Sequence, residues 1–424
     1  METNMAGKWY FSLPGAIALS LRAPAGKTLR PCHIADFRGA PFVLPARRLV
    51  SAALCLALGL LAATPSLAGP KLLVDMQTGD VLYAEDAGAP WHPASLTKLM
   101  TAYVTFQAIA DGRITLDSLV TMTRDAANQA PARSGMAVGN TLTLKDALYV
   151  MLVKSANDMA VAVAEAVDGS ADKFAAEMNA TAAKLGLMRT HYNNVNGLPD
   201  DGQVTTARDL AVLTIDLRRT FPQYADIFRT REVKLDNVYL RSDNALLNTF
   251  AGTDGMKTGF ICSAGLNIVA TAHRNGRELM AIVLGGSSGR ERDEMAAQML
   301  LRGFAGEYPD KGESVVNLVD DLKSPPTDMT SYICGKKAKE YVRAQRKAYP
   351  MGLPGKPSYL TDKIASIVYN ATDLGPAGGP AVASAADSPD AQGDGDGPPD
   401  AVTTTTASAP IPMPRRATHH HHRR

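Results

Sequence analysis

Aromatic side chains are scarce in this chain: Phe, Trp and Tyr make up 6% of its 424 residues, with two tryptophans in all. Alanine, glycine and proline are plentiful, so part of the chain is not expected to pack. Excess charge is lacking too. Lys and Arg number 44 against 42 Asp and Glu, a net +2. That leaves no basic footprint for nucleic acid, and no such partner is expected. The sign is nevertheless uneven. Residues 1–68 hold seven Lys/Arg and two Asp/Glu, or +5, which leaves 2 − 5 = −3 for the remainder. Histidines with metal-ligand spacing are missing as well, since His191 and His273 stand alone, so neither metal nor cofactor is expected.

A long apolar run is also absent. Leu49 to Leu61 is too short to cross a membrane. It follows Arg47-Arg48 and leads to the small-residue exit Ser66-Leu67-Ala68, the composition of a secretory signal peptide. The mature chain is therefore expected in the periplasm or cell envelope. Cys55 lies inside this core behind Leu54, which is too large for a lipoprotein cleavage site. Residues 1–46 read as an over-extended start of translation and carry no functional reading. Of four cysteines, Cys32 and Cys55 leave with the leader, while Cys262 and Cys334 remain in an oxidising compartment. A disulfide between them is expected. It would close a loop of ~70 residues and contribute on the order of 4 kcal/mol by the chain-entropy estimate.

What is present is organised around Ala94-Ser95-Leu96-Thr97-Lys98-Leu99-Met100. At a helix start, Ser95 and Lys98 project from one face. A serine hydroxyl needs a base within hydrogen-bond reach, which a desolvated lysine amine can be. The helix N-terminus adds N–H groups that favour the anion formed when a carbonyl is attacked. His92, three residues before Ser95, is a competing base, but beside Lys98 it reads as a loop histidine. Alone, Ser-x-x-Lys arises by chance about once in a chain of this length. Two further stretches change the odds: Ser155-Ala156-Asn157 after an apolar run, and Lys257-Thr258-Gly259 before a strand-like segment. Singly, Asn157 is explained as a helix cap and Lys257 as a solvated edge-strand lysine. The ordered set of three is not.

With Thr206-Ala207-Arg208-Asp209-Leu210-Ala211 and Gly255-Met256 added, the chain from about Leu72 to about Phe304 resembles the D-alanyl-D-alanine carboxypeptidases, the low-molecular-mass penicillin-binding proteins. The resemblance implies a β-lactamase/transpeptidase-like fold and removal of the terminal D-Ala from peptidoglycan muropeptides ending in D-Ala-D-Ala, through an acyl-serine. β-Lactams would be covalent inhibitors. It implies Ser95 as nucleophile, Lys98 as general base with its amine kept neutral by burial and neighbouring cations, Ser155 as proton relay, and Asn157 orienting substrate and Lys98. Lys257 and Thr258 would hold the substrate carboxylate, Gly259 would let the backbone come close, and the N–H groups of Ser95 and Phe260 would form the oxyanion hole. Arg208 would lie near Lys257-Thr258 and help hold the carboxylate; its bland alternative is a surface arginine on a helix. Phe260 departs from the polar residue that often follows Lys-Thr-Gly in the family. A DD-endopeptidase acting on crosslinks is a close alternative. A serine β-lactamase is a more distant one, because Ala156 stands mid-triplet and Glu177-Met178-Asn179 lacks the spacing of a deacylating glutamate motif. A wall-binding module with a decayed site is the non-enzyme alternative, opposed by the intact motifs.

Hydrophobic periodicity predicts an α/β chain of the α+β type, an antiparallel sheet flanked by helices with an inserted helical subdomain. Leu72 to Tyr83 reads as strand, turn and strand, and helices are expected from Ser95 to about Ala110 and through most of Leu116 to Arg219. Strands are expected at Glu232–Leu235, Leu266–Ala272 and Glu278–Leu284, with Asn275-Gly276 as a hairpin turn and a closing helix from Arg290 to Phe304. The expected divisions are a leader (1–68), the serine carboxypeptidase domain (69–306), a C-terminal extension with helical pieces at Lys336–Lys347 and Leu360–Tyr369 (307–372), and an Ala/Pro/Gly/Thr-rich unfolded tail (373–424). His419 to His422 reads as a tag-like run. The amphipathic membrane-anchoring helix of related enzymes is not evident, and peripheral attachment to membrane or wall stays open.

Overall fold

The computed structural model describes residues 69–309 and 312–377. The leader, residues from 378 on, the His run, Cys32 and Cys55 fall outside them. Strands β1 (Lys71–Asp75) and β2 (Val81–Glu85) form the first hairpin, and Ser95 follows on a short 3-10 turn, Ala94–Leu96, that runs into α1 (Thr97–Ala110). Then come α2 (Leu144–Val153), α3 (Asn157–Asp168), α4 (Ala171–Lys184) and α5 (Ala207–Thr220). A small hairpin, β3 (Glu232–Leu235) with β4 (Val238–Arg241), precedes β5 (Thr253–Ile261), β6 (Gly265–Arg274) and β7 (Arg277–Gly286), and α6 (Gly289–Phe304) closes the catalytic body. The main sheet has the order β2-β1-β7-β6-β5, antiparallel throughout, so β5 is an edge.

Local chemistry fixes the boundaries. Thr143, Ser170, Thr206 and Ser288 each accept, through the side-chain oxygen, the amide of the third helical residue, satisfying donors that the first turn leaves open. Asn275 and Gly276, both at positive φ, turn β6 into β7, as a two-residue hairpin loop requires. Alternation along the strands splits the core in two. Leu72 and Val74 join Ile282 and the α1 residues Leu99 and Met100 on one face. Leu73, Ile268, Ala281 and Val283 meet Ala296, Ala297 and Leu300 of α6 on the other. A sheet covered on both faces explains why Ile268–Ala272 and Leu279–Leu284 read as continuous apolar runs.

The extension is a strap along this body. Val81 donates to Glu313 O and Val315 to Gly79 O beside β2; Met329 donates to Ser263 O next to β5. Helix α7 (Ala338–Ala348) matches the expected helical piece. The second piece does not form. Residues 360–367 are not helical, with Asp362 and Ile364 donating to Thr249 O and Asn248 O, and β8 (Val368–Ala371) pairs in parallel with β3. Tyr369 stacks on Tyr149 and donates to Asp146. These partners outweigh the weak helical period of so short a stretch. Residues 373–377, expected in the unfolded tail, are also placed. Asp373 is buried and accepts from Asn140 Nδ2, and Gly375 O accepts from Thr141 N. Cys262 and Cys334 form the expected disulfide, with Cα atoms 5.6 Å apart. Among the described residues no helix is long and apolar enough to cross a membrane.

Candidate active site

The first two sequence motifs meet at one cleft of about 820 Å³, lined by Ser95, Ser155, Asn157 and Phe260 among others, and the third lies on the edge strand directly before Phe260. Ser95 sits at the N-terminal entry of α1, whose first turn carries no acidic residue to offset the dipole. Ala94 before it and Ser155 opposite both hold left-handed backbone (φ 48° and 64°). Such conformations cost of order 1–3 kcal/mol in non-glycine residues and persist where the surroundings impose them.

Lys98 is fully buried. Its Nζ donates to Ser95 Oγ at 3.1 Å, to Asn157 Oδ1 at 2.7 Å and to the Asn196 carbonyl at 2.6 Å. Asn157 is fixed in turn. Its Nδ2 donates to the carbonyls of Ala130 and Pro131, both at 3.0 Å, and its amide to Ala132 O. Ser155 lines the cleft with a buried Oγ that has no hydrogen-bond partner. A buried polar atom left unpaired is costly, and here it faces the space a substrate would occupy.

Gly259 explains how β5 comes close. A Cβ there would lie 3.0 Å from Ser95 N and 3.1 Å from Pro93 O. Phe260 follows it and lines the cleft. Lys257 and Thr258 lie on the same edge strand and are buried, the Lys257 ammonium donating to Thr258 O at 2.8 Å; neither lines the open cleft. Arg208 is not brought to it either. Its guanidinium is buried among Gly186 O at 2.5 Å, Asp209 Oδ1 at 2.7 Å, Val316 O at 3.2 Å and Asp320 Oδ2 at 3.7 Å. The carboxylate-gripping place expected for Arg208 is therefore corrected: its charge is committed to two aspartates and to the strap.

Several contributors were not singled out from sequence. Asn196 offers Lys98 its carbonyl, and Gly197 makes this feasible, since at φ 89° a Cβ would lie 2.0 Å from Ala94 O. The dense Asn-Gly run at 193–197 was the available signal, read only as a loop. Asp158, directly after the second motif, accepts from Ser134 N at 2.8 Å and Ser134 Oγ at 2.7 Å, fixing the loop that holds Asn157. Burial pushes its carboxyl up, and the Ser134 bonds pull it the other way. His92 does line the cleft, with Nδ1 3.1 Å from Gln203 O. Strap residues Pro325, Pro326, Asp328 and Thr330 line it too; the Cys262–Cys334 pairing was the signal that the extension reaches the lip of the site, though it did not single out these four. Among the described residues no glutamate lines this cleft, and Glu177 is ion-paired with Arg113 at 2.5 Å.

Comparison with known proteins agrees with this geometry. The sequence profile of the D-alanyl-D-alanine carboxypeptidase family matches residues 62–288. The chain is 36% identical over 240 residues to D-alanyl-D-alanine carboxypeptidase DacD of Escherichia coli K12, covering 55% of this chain and 62% of that one. It thus spans less than two thirds of the length of the curated relatives it matches first. Among solved structures it is similar to penicillin binding protein 6B from Escherichia coli (36% identity, TM-score 0.53, 56% of this chain and 77% of that one). It is also similar to the cefotaxime-bound Penicillin-Binding Protein D2 of Listeria monocytogenes (30% identity, TM-score 0.51, 56% and 97%). On the three converging motifs and these matches together, the chain belongs to the D-alanyl-D-alanine carboxypeptidase family of low-mass penicillin-binding proteins.

Proposed function

We propose that this protein is an exported serine-type D-Ala-D-Ala carboxypeptidase that trims the terminal D-Ala from peptidoglycan stem peptides and is acylated by β-lactams. The observation that carries the reading is the contact of Lys98 Nζ with Ser95 Oγ at 3.1 Å inside a fully buried lysine network. In catalysis the Ser95–Lys98 bond runs the other way: the neutral amine keeps two N–H bonds, to Asn157 Oδ1 and Asn196 O, and its lone pair takes the serine proton as Oγ attacks the penultimate D-Ala carbonyl. The N–H groups of Ser95 and Phe260 stabilise the oxyanion, helped by the Gly259 approach. The C–N bond to the terminal D-Ala breaks, Ser155 Oγ relays the proton to the leaving amine, and D-Ala departs. Water, activated by the same amine, hydrolyses the acyl-serine. The substrate runs beside edge strand β5, where Lys257 and Thr258 supply the charge and donor for its carboxylate. The run Leu49–Leu61 with its Ser66-Leu67-Ala68 exit supports export, and the Cys262–Cys334 disulfide suits an oxidising compartment.

Intact mass followed over time after adding benzylpenicillin, alongside D-Ala release from a peptide ending in D-Ala-D-Ala, tests the reading. A one-equivalent adduct lasting many minutes, absent in Ser95→Ala, together with D-Ala release is expected. A fleeting adduct with rapid penicillin hydrolysis would replace the reading with a β-lactamase.

A further inference from the structure

One buried glutamine stands beside the catalytic pair without a place in the chemistry above. Gln203 is 2% exposed. Its Oε1 accepts from the backbone amides of Asn193 and Asn194, both at 2.9 Å, and its Nε2 donates to Thr97 Oγ1 and Asn194 Oδ1, both at 3.1 Å. Two donors and two acceptor sites are all that a carboxamide has, so none is left over. The orientation is fixed by its partners. Backbone amides can only donate, which points Oε1 at the loop. Thr97 gives its own hydroxyl proton to Ala94 O at 2.9 Å, which leaves Oγ1 as an acceptor for Nε2. Asn194 Oδ1 is likewise held as an acceptor by the Gly197 amide at 2.8 Å.

Each end of this amide comes within a few residues of a reacting group. Thr97 directly precedes Lys98, and Ala94, which takes the Thr97 proton, directly precedes Ser95. On the other side, Asn193 and Asn194 open the loop whose Asn196 carbonyl holds the Lys98 amine at 2.6 Å. The backbone of Gln203 is anchored in turn: Val204 and Thr205 pair with His191 and Trp91, and the Gln203 carbonyl lies 3.1 Å from His92 Nδ1. A carboxylate here could not donate to Thr97 and Asn194, and an ammonium could not accept from the loop. A buried polar network in which every member is satisfied holds its atoms to one geometry. We propose that Gln203 is a positioning residue for acyl transfer, whose side-chain amide ties the loop holding the Lys98 amine to the turn presenting Ser95 and keeps nucleophile and base in register. This rests on the carboxypeptidase reading above. Gln203 does not line the cleft, so it acts through Thr97 and the 193–197 loop and not on the substrate.

The test uses the full chain with its disulfide intact and counts active sites by benzylpenicillin titration, so that every rate is per competent site. Gln203→Met keeps the length and removes all four bonds. The acylation rate and kcat for D-Ala release from a peptide ending in D-Ala-D-Ala are expected to fall together by roughly ten- to a hundredfold, with KM within about twofold of the parent, because alignment is lost and no substrate contact is. Thr97→Val removes the hydroxyl that joins Gln203 to Ala94 while keeping the side-chain shape. It should lower the same constants, and the double variant should fall little below Gln203→Met, since both cut one tie. Should Gln203→Met not fold, Gln203→Glu carries the same test: it keeps the outline and the two loop amides as partners but sets acceptor against acceptor at Asn194 Oδ1. Parent rates per titrated site in a folded variant, with only the melting temperature lowered, overturn the inference. So does a rise in KM at unchanged kcat, or losses that simply multiply in the double variant. Each of these leaves the carboxypeptidase reading standing; a parent protein that is neither acylated nor releases D-Ala overturns both.

Discussion

The catalytic body and the strap obey different rules. In the body, from β1 to α6, each element is specified close to home: apolar periodicity, a capping hydroxyl at the helix start, a turn pair such as Asn275-Gly276. The strap from 312 to 377 has one helix longer than four residues and one strand, and most of its chain is irregular. It is placed by point contacts with distant residues: the Cys262–Cys334 bond, Arg208 with Asp320, Glu294 with Ser358 and the Tyr359 amide, Tyr369 with Asp146. Local instruction produces a rigid scaffold for Ser95 and Lys98. Remote instruction produces a covering whose conformation exists only against that scaffold, and this covering completes the cleft.

The largest effect is expected where the body's own contacts are tightest. Gly197→Ala places a Cβ 2.0 Å from Ala94 O and forces a side chain into left-handed backbone. The displaced loop carries Asn196, so Lys98 loses its carbonyl partner and the turn bearing Ser95 shifts. A misplacement of about 1 Å costs on the order of a hundredfold in rate. Benzylpenicillin acylation and D-Ala release should fall together by that much. A variant that is folded and acylates at the parent rate would show that the loop does not position the base.

The strap should respond differently. Cys334→Ser removes a crosslink spanning 72 residues, worth on the order of 4 kcal/mol in the chain-entropy account. Under reducing conditions or in this variant, global unfolding is expected to shift down by that order, with proteolysis appearing first around residues 319–328, several of which are exposed. Acylation of Ser95 by benzylpenicillin should fall far less than in Gly197→Ala, because Ser95, Asn157 and Asn196, which hold Lys98, all belong to the body. Equal losses of acylation in the two variants would erase the distinction between body and covering.

The same contrast accounts for what was legible in the sequence. Ser95, Lys98 and Asn157 sit in short motifs at helix starts that periodicity announces, with Ser155 in the turn before Asn157; the strand Thr253–Ile261 that carries Lys257-Thr258-Gly259 was not expected, the motif being read as preceding a strand. Arg208 was misplaced because nothing local shows which way its guanidinium turns: the adjacent Asp209 holds it at 2.7 Å, and Gly186 O, Val316 O and Asp320, the last two more than a hundred positions away, complete its surroundings. Leu360–Tyr369 misled in the same way, since a few apolar residues suit helix or strand equally and the choice was made by Glu232–Leu235, far upstream. Asp328 and the two prolines reached the cleft through a disulfide, whose partner sequence alone supplied; the wall they form lay in the fold.

The smallest effect, and the one that separates docking of the strap from stability of the body, is in the pH dependence at Asp320. Its Oδ1 accepts from Thr206 Oγ1 at 2.7 Å, and its Oδ2 lies 3.7 Å from the Arg208 guanidinium that Asp209 already occupies at 2.7 Å. Burial first, and the Asp209 charge second, push its carboxyl up to about 6. An undocked strap would titrate near the ordinary value of about 4. The docked state therefore holds the proton more tightly, so the contribution to docking is fully present below about 4 and is lost as pH rises through about 6. After correction for intrinsic exchange, the Asp321 amide, which donates to Gly88 O, should be a few-fold better protected at pH 5 than at pH 8, a modest size because the group is partly solvated. Asp320→Asn should flatten that difference while leaving amides of β6 and β7 unchanged. If the parent protein shows equal protection at both pH values, the shared Arg208 is neutralising both carboxylates, and the strap is held there by charge pairing instead of by a retained proton.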